Sequence, residues 1–278
     1  MSSYYYLVAG LPDIALDDGK LSCTVAGFKS DIYPHLSAHD QRLVDLFYLK
    51  FDNEDLLRLL KDKEAVTEGK GNFTGEELLE LVEAVRNGDR PDPKMPSYMV
   101  SFLTEYFAAE GEPYLTEDKL AAAYYHYAMG AKNPFIAAWF EFSLHVNNVL
   151  AALSARKYKM DISSAVVGDT PVCEQLRTSN ARDFGLGDEL DGFESLQRIA
   201  EVDELVEREK KVDLLKWKWM EDESFFHYFT IERLFVFLLR LEMIERWISL
   251  DKESGSELFR QLIQQLKDGV QIPEEFRK

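Results

Sequence analysis

Several groups of side chains in this sequence have types and spacings that chemistry could use. His35 and His39 are four residues apart with Asp40 adjacent, which would set two imidazoles and a carboxylate on one helix face as the start of a zinc site. Pro34 interrupts any helix through His35, and no third ligand is fixed by spacing, so no metal is expected. Glu141 and His145 share a face, but carboxylate-bridged metal bundles use Glu-x-x-His twice; with a spacing of four and no second copy, they read as a hydrogen-bonded core pair. Phe184 to Gly192, FGLGDELDG, has a G-x-G but neither the preceding strand nor the third glycine of a phosphate-binding loop. Its Asp188, Glu189 and Asp191 lack the alternating spacing of calcium ligands, and the segment reads as a flexible loop. Trp217 and Trp219 alternate with Lys216 and Lys218, as a base-stacking site would require; in a chain this acidic they read as packing beside a solvated face. No Ser, His and Asp ordering, G-x-S-x-G or activated cysteine stands out. The expectation is a protein with no catalytic site or cofactor of its own.

Composition narrows the partners. With 50 Asp and Glu against 32 Lys and Arg, the formal net charge is −18, which opposes duplex nucleic acid and anionic lipid alike. Any partner should be neutral or basic where it touches. A 46% hydrophobic, 13% aromatic chain of 278 residues has ample material for a core. Cys23 and Cys173 have no paired spacing, so neither a disulfide framework nor a zinc site is indicated. No charged and apolar leader is evident, and the apolar stretches are interrupted by Glu141, His145 and Asn147 or by Glu232, Arg233 and Arg240. A cytoplasmic protein without direct membrane insertion is expected.

The elements that would position these residues are helical. Residues 4–12 could be strand or helix, and 13–37 form a loop-rich connection. Helical periodicity starts at His39, with Asp52 and Asn53 dividing two helices. Thr74 and Glu77 form a capping box for a helix ending at Asn87 and Gly88. Arg90 to Pro96 is a stiff, proline-rich connector, followed by helices at 97–110 and 116–131 split by Gly111 and Pro113. Asn133 caps, and Pro134 opens, a long helix running to Asp161. Residues 161–192 form a second connector. Asp191 and Glu194 then open a helix over 193–220 with Leu196, Ile199, Val202, Val206 and Leu214 as its apolar stripe. Residues 223–250 form the most apolar helix, and Ser254 with Glu257 caps a last one ending at Asp268 and Gly269. The fold class is all-α and multi-helical.

One spacing recurs. Asn148, Leu150, Leu153 and Arg156 place an amide, two apolar residues at +2 and +5 and a base at +8; Asp55, Leu57, Leu60 and Lys63 repeat it upstream, and Glu232, Leu234, Phe237 and Arg240 downstream. The +2 and +5 side chains lie within ~60° on a helix, so they should form an inward stripe, with the polar residue and the base off it.

This repeated N-x-L-x-x-L-x-x-R segment resembles the C/d family of V-type and A-type ATPases, the proteins that seat the rotor stalk on the membrane ring. Tyr4, Tyr6 and Ala9 are similar to that family's tyrosine-rich opening. YYYLVAGLPDI, WFEF with NNVLAALSARK, and IERLFVFLLRLEMIERW together look like an uncharacterised bacterial family that stands in for this component beside bacterial V-type ATPase genes. Unlike the C/d family, the chain has Gly10, Leu11 and Pro12 rather than basic residues after Ala9, and it is shorter. The resemblance implies one all-helical domain, 1–278, built as three related units (1–95, 96–165 and 166–278) in a funnel. It further implies a non-catalytic protein that couples the central rotor stalk to the membrane ring during ion transport, held at the inner membrane by contacts with stalk and ring subunits. The alternative expectation is a helical adaptor or scaffold of another complex, and, behind that, a helical enzyme of unidentified activity.

Overall fold

The computed structural model describes residues 3–109, 116–187, 190 and 192–269, with side chains described as far as Asp251. The fold is all-α, with no strand among the described residues. In order the helices are α1 (Tyr5–Ala9), α2 (Val25–Gly27), α3 (Ala38–Lys61), α4 (Gly75–Asn87), α5 (Ser97–Ala108), α6 (Thr116–Met129), α7 (Pro134–Lys157), α8 (Ile162–Ala165), α9 (Pro171–Thr178), α10 (Phe193–Ala200), α11 (Leu205–Glu223) and α12 (Ile231–Gly269). A π turn at Phe28–Ile32 and a 3-10 turn at Tyr33–His35, with Pro34 inside it, connect α2 to α3.

Caps set several boundaries. The Ser37 side chain accepts from the Asp40 amide, Thr74 and Glu77 complete the capping box on α4, and Gly88 ends that helix with φ 74°, where a side chain would be strained. Asn133 accepts from the Ile136 N–H at 3.1 Å, and Pro134 follows at the first turn of α7.

Four expected boundaries move. Asp52 and Asn53 do not divide a helix: α3 runs through both, because Asp52 is bonded to a returning loop and Asn53 accepts from the Tyr98 hydroxyl at 2.7 Å. The 161–192 connector contains α8 and α9, each opened by a side-chain cap at Asp161 or Thr170. The helix expected over 193–220 is two, α10 and α11, with Glu204 capping the second; Val206 and Leu214, assigned to its apolar stripe, are exposed. Residues 224–230 are a loop, after which α12 is continuous through Ser254. Gly111 and Pro113 lie outside the described residues, as do Asp188, Glu189 and Asp191.

Two hydrophobic cores result. The larger gathers α3 to α6, the first half of α7 and α12 around Phe28, Tyr48, Leu56, Met99 and Phe235, and draws on all three segments 1–95, 96–165 and 166–278. The smaller gathers the second half of α7 with α9, α10 and Val212 around Val149, Cys173, Leu176 and Phe184. α7 therefore spans both. By length and composition it could cross a membrane, but 56% of its most apolar window is buried inside the protein, where it feeds the two cores.

Candidate functional site

The residues with chemical potential are mostly committed to structure. His39 Nδ1 lies 3.1 Å from Asp40, whose buried carboxylate also accepts from the Tyr4 and Ser37 hydroxyls. Burial alone would raise the Asp40 carboxyl, but the hydrogen bonds from Tyr4, His39 and Ser37 outweigh it and hold the group below the usual range. No set of three His, Cys, Asp or Glu side chains arranged to hold a metal occurs among the described residues.

His145 is not paired with Glu141, which faces solvent; its Nε2 lies 3.0 Å from the Thr170 hydroxyl, and burial lowers its pKa. Thr170 donates to Cys173 Sγ at 3.1 Å, and Asn148 Nδ2 lies 3.3 Å from the same sulfur. A thiol, an imidazole and an amide thus meet, but Cys173 is fully buried and its neighbours are held in the α7–α9 contact. Trp217 packs under the Arg240 guanidinium at 4.2 Å, and Trp219 stacks on Phe142 at 4.9 Å. Phe184 and Leu186 are fully buried, with Arg156 3.6 Å from the Phe184 ring, so this part of the expected flexible loop is anchored.

The three repeated segments meet different fates. Asp55 is buried and accepts from the Glu68 and Gly69 amides at 3.0 and 3.3 Å, while Leu57 and Leu60 are only half-buried and Lys63 lies beyond α3, 3.5 Å from Glu83. Asn148 is buried too: it accepts from the Val167 N–H at 2.9 Å and donates to the Val167 carbonyl at 2.6 Å. Leu150 and Leu153 are half-buried beside it, and Arg156 donates to the carbonyls of Ala181 and Arg182 at 2.8 and 2.9 Å. In both segments the polar residue faces inward and the +2 and +5 residues flank it, the reverse of the expected arrangement. The physical reason is that a returning loop offers backbone groups only a buried acceptor can satisfy. Glu232, Leu234 and Phe237 are all buried, at the start of α12; Glu232 accepts from Asn133 Nδ2 at 2.7 Å, and Arg240 lies 3.2 Å from Glu221. The third segment thus opens its helix, whereas the first two close theirs.

Two clefts, of about 1360 and 720 Å³, open on the surface. In the larger, Lys29 donates to the Gly71 carbonyl and Lys70 lies 2.8 Å from Glu68. In the smaller, Arg177 donates to the carbonyls of Val166 and Gly168, and His126 lies 3.9 Å from Asp169 with both side chains largely exposed. In each cleft some of the cations are thus already held by groups of the chain itself.

The unpartnered feature is aromatic. Tyr6 is 90% exposed, Phe226 81%, Phe225 64%, Tyr228 60%, Tyr5 55% and Phe229 38%. They come from α1 and loop 224–230, which meet where the Tyr4 N–H donates to the Phe229 carbonyl at 2.7 Å and the Tyr5 and Phe229 rings lie 4.8 Å apart. Tyr4 fixes this junction from below: it is buried, donates to Asp40 and accepts from the Ser37 N–H at 3.1 Å. The middle of the loop is held by His227, 5.5 Å from the Phe135 ring and 3.6 Å from Glu232. Taking ~200 Å² for a fully exposed aromatic side chain, the six offer on the order of 800 Å², about one partner's share of a standard interface. The arrangement suits protein recognition, since aromatic rings bury much area at little entropic cost.

A family model described as "Protein of unknown function (DUF2764)" matches residues 1–270. The chain belongs to this family. The match includes α1 and loop 224–230, so both lie within the family region. No curated protein and no solved structure matches the chain.

The most apolar helix expected over 223–250 takes in Phe225, Phe226, Tyr228 and Phe229, which the structure instead leaves exposed in a loop. SFFHYF gave no contrary signal: Phe225 with Tyr228 and Phe229, and Phe226 with Phe229, keep the three-to-four spacing of a helix face, so only tertiary packing left these rings outside.

Proposed function

We infer that this chain is a non-catalytic docking protein, and that it serves as a C/d-like coupling component between the central stalk and the membrane ring of a V-type ATPase. The observation that carries the docking role is the exposed aromatic surface of α1 and loop 224–230, seated on a body whose buried polar groups are largely satisfied internally. The ATPase assignment is supported by the resemblance of the YYYLVAGLPDI, NNVLAALSARK and IERLFVFLLR segments. In this role the chain stays on the cytoplasmic face of the inner membrane through protein contacts and transmits torque without touching nucleotide. A coupling component of this kind needs a stiff body, because a compliant linker would dissipate rotation. The 24-residue helices α3 and α7 and the continuous α12 meet that requirement.

The test is to tag the chain and purify it under mild detergent. Recovery of stalk and ring subunits supports the reading, and deletion of the chain should uncouple the machine while leaving nucleotide hydrolysis by the soluble head intact. Recovery alone, or with an ATPase that already contains an ordinary C/d coupling component, would replace this reading with that of an adaptor for another complex.

A further inference from the structure

We propose that the aromatic surface receives a basic amphipathic segment of a partner protein, with apolar side chains seated on Tyr5, Tyr6 and Phe226 and lysines or arginines set against Asp222 and Glu223. This deepens the docking reading and rests on it, but not on the identity of the complex. α11 ends in Glu221, Asp222 and Glu223 with no basic residue in its last turn, immediately before the aromatic loop. A helix C-terminus carries partial negative charge, so carboxylates there are unfavourably placed and a cation is favoured. Glu221 is occupied by Arg240 and the Trp217 ring N–H, whereas Asp222 and Glu223 are exposed and form no ion pair among the described residues. Lys218, one turn before Asp222 on α11, and Arg233, on the first turn of α12, flank these acids in sequence, and neither forms an ion pair among the described residues.

The occupant follows from these charges. A second copy would bring another chain of net charge −18 against the same acids, and an anionic lipid would be repelled. A cation on the partner gains the carboxylates and the ring faces together, an arrangement the protein itself uses where Lys50 lies 4.4 Å from the Phe47 ring beside Glu242. The Tyr4 anchor fixes the backbone of the junction, so little ordering is needed on binding.

The experiment titrates the intact protein with a labelled helical peptide bearing a leucine face flanked by lysines, and with the same peptide carrying glutamate for lysine. The lysine peptide should bind at least tenfold more tightly than the glutamate peptide. Tyr6→Ser with Phe226→Ser should weaken it about tenfold or more, and Asp222→Asn with Glu223→Gln about threefold to tenfold. Glu76→Gln with Glu80→Gln, on α4, should leave it unchanged, and circular dichroism should show every variant folded. Equal binding of the two peptides, or equal weakening by the α4 pair, overturns the proposal. So does sedimentation showing a dimer that the aromatic variants dissociate, or binding to neutral phosphatidylcholine vesicles that those variants abolish. Peptide binding without recovery of stalk and ring subunits would sink the ATPase assignment alone; recovery undiminished in the aromatic variants would sink this surface alone.

Discussion

Asp52 and Asn148 do the same mechanical task with different chemistry. Each is fully or almost fully buried in a 24-residue helix and holds a loop that returns to it: Asn72 and Phe73 donate to Asp52 at 2.8 and 2.9 Å, and the Val167 N–H and carbonyl both bond Asn148. The carboxylate accepts two donors but must be desolvated as an ion. The amide accepts one, donates in return and carries no charge. Burial, partly countered by the two backbone donors and Lys29, pushes the Asp52 carboxyl up to about 6 from 3.8. The first grip is therefore tied to pH and the second is not.

The comparison breaks most directly at Asp52. Asp52→Ala leaves the Asn72 and Phe73 N–H groups without their acceptor and should cost about 3–4 kcal/mol in urea unfolding, at ~1–3 kcal/mol for each buried unsatisfied group. A loss under ~1 kcal/mol would mean water or loop movement replaces the grip. Gly71→Ala should act on the same contact, because a Cβ there would collide with the Asp52 carboxylate.

Next in size is the pH dependence. Because the folded-state value is raised, the native protein holds a proton on Asp52 that the unfolded chain has already released between about pH 4 and 6. The stability this group contributes is full below about 3.8 and is lost as pH rises through about 6, a fall of up to about 3 kcal/mol. Asp52→Asn should remove that component from the pH profile of unfolding, and a difference curve that stays flat would refute the raised value. Asn148→Asp should create such a component in the second grip, since a carboxylate there would face the Val167 carbonyl.

Asn148→Leu should cost about 2 kcal/mol by leaving the Val167 N–H unpaired and its carbonyl with only the weak Cys173 thiol donor, with no new pH dependence. Smallest of all, Tyr6→Ser should change stability by less than about 0.5 kcal/mol, because a side chain 90% exposed contributes little to folding. A larger loss would make the aromatic surface part of the fold rather than a place for a partner.

The fold class was legible because it rests on local physics. Thr74 with Glu77, Asn133 with Pro134 and the apolar periodicity of α4 and α7 all act within a few residues, and the structure has each of them. Asp52 and Asn53 misled for the same reason: locally they favour a break, and only Tyr98 and the returning loop make them helix-compatible. The candidate surface was hardly legible at all. Phe225 and Phe226 have the same hydrophobicity whether buried or exposed, and burial depends on what else the core has room for.

By itself, then, the sequence determined that this chain is helical, acidic and rich enough in apolar residues to fold, and it marked several helix ends through their caps. Tertiary structure decided which polar residues turn inward and which aromatics remain outside. Capping and periodicity are settled by neighbours three or four residues away, whereas Asp52 meets its partners 20 and 21 residues on, Asn148 meets Val167 19 residues on, and Tyr4 meets Asp40 36 residues on. Those meetings exist only once the chain has closed on itself.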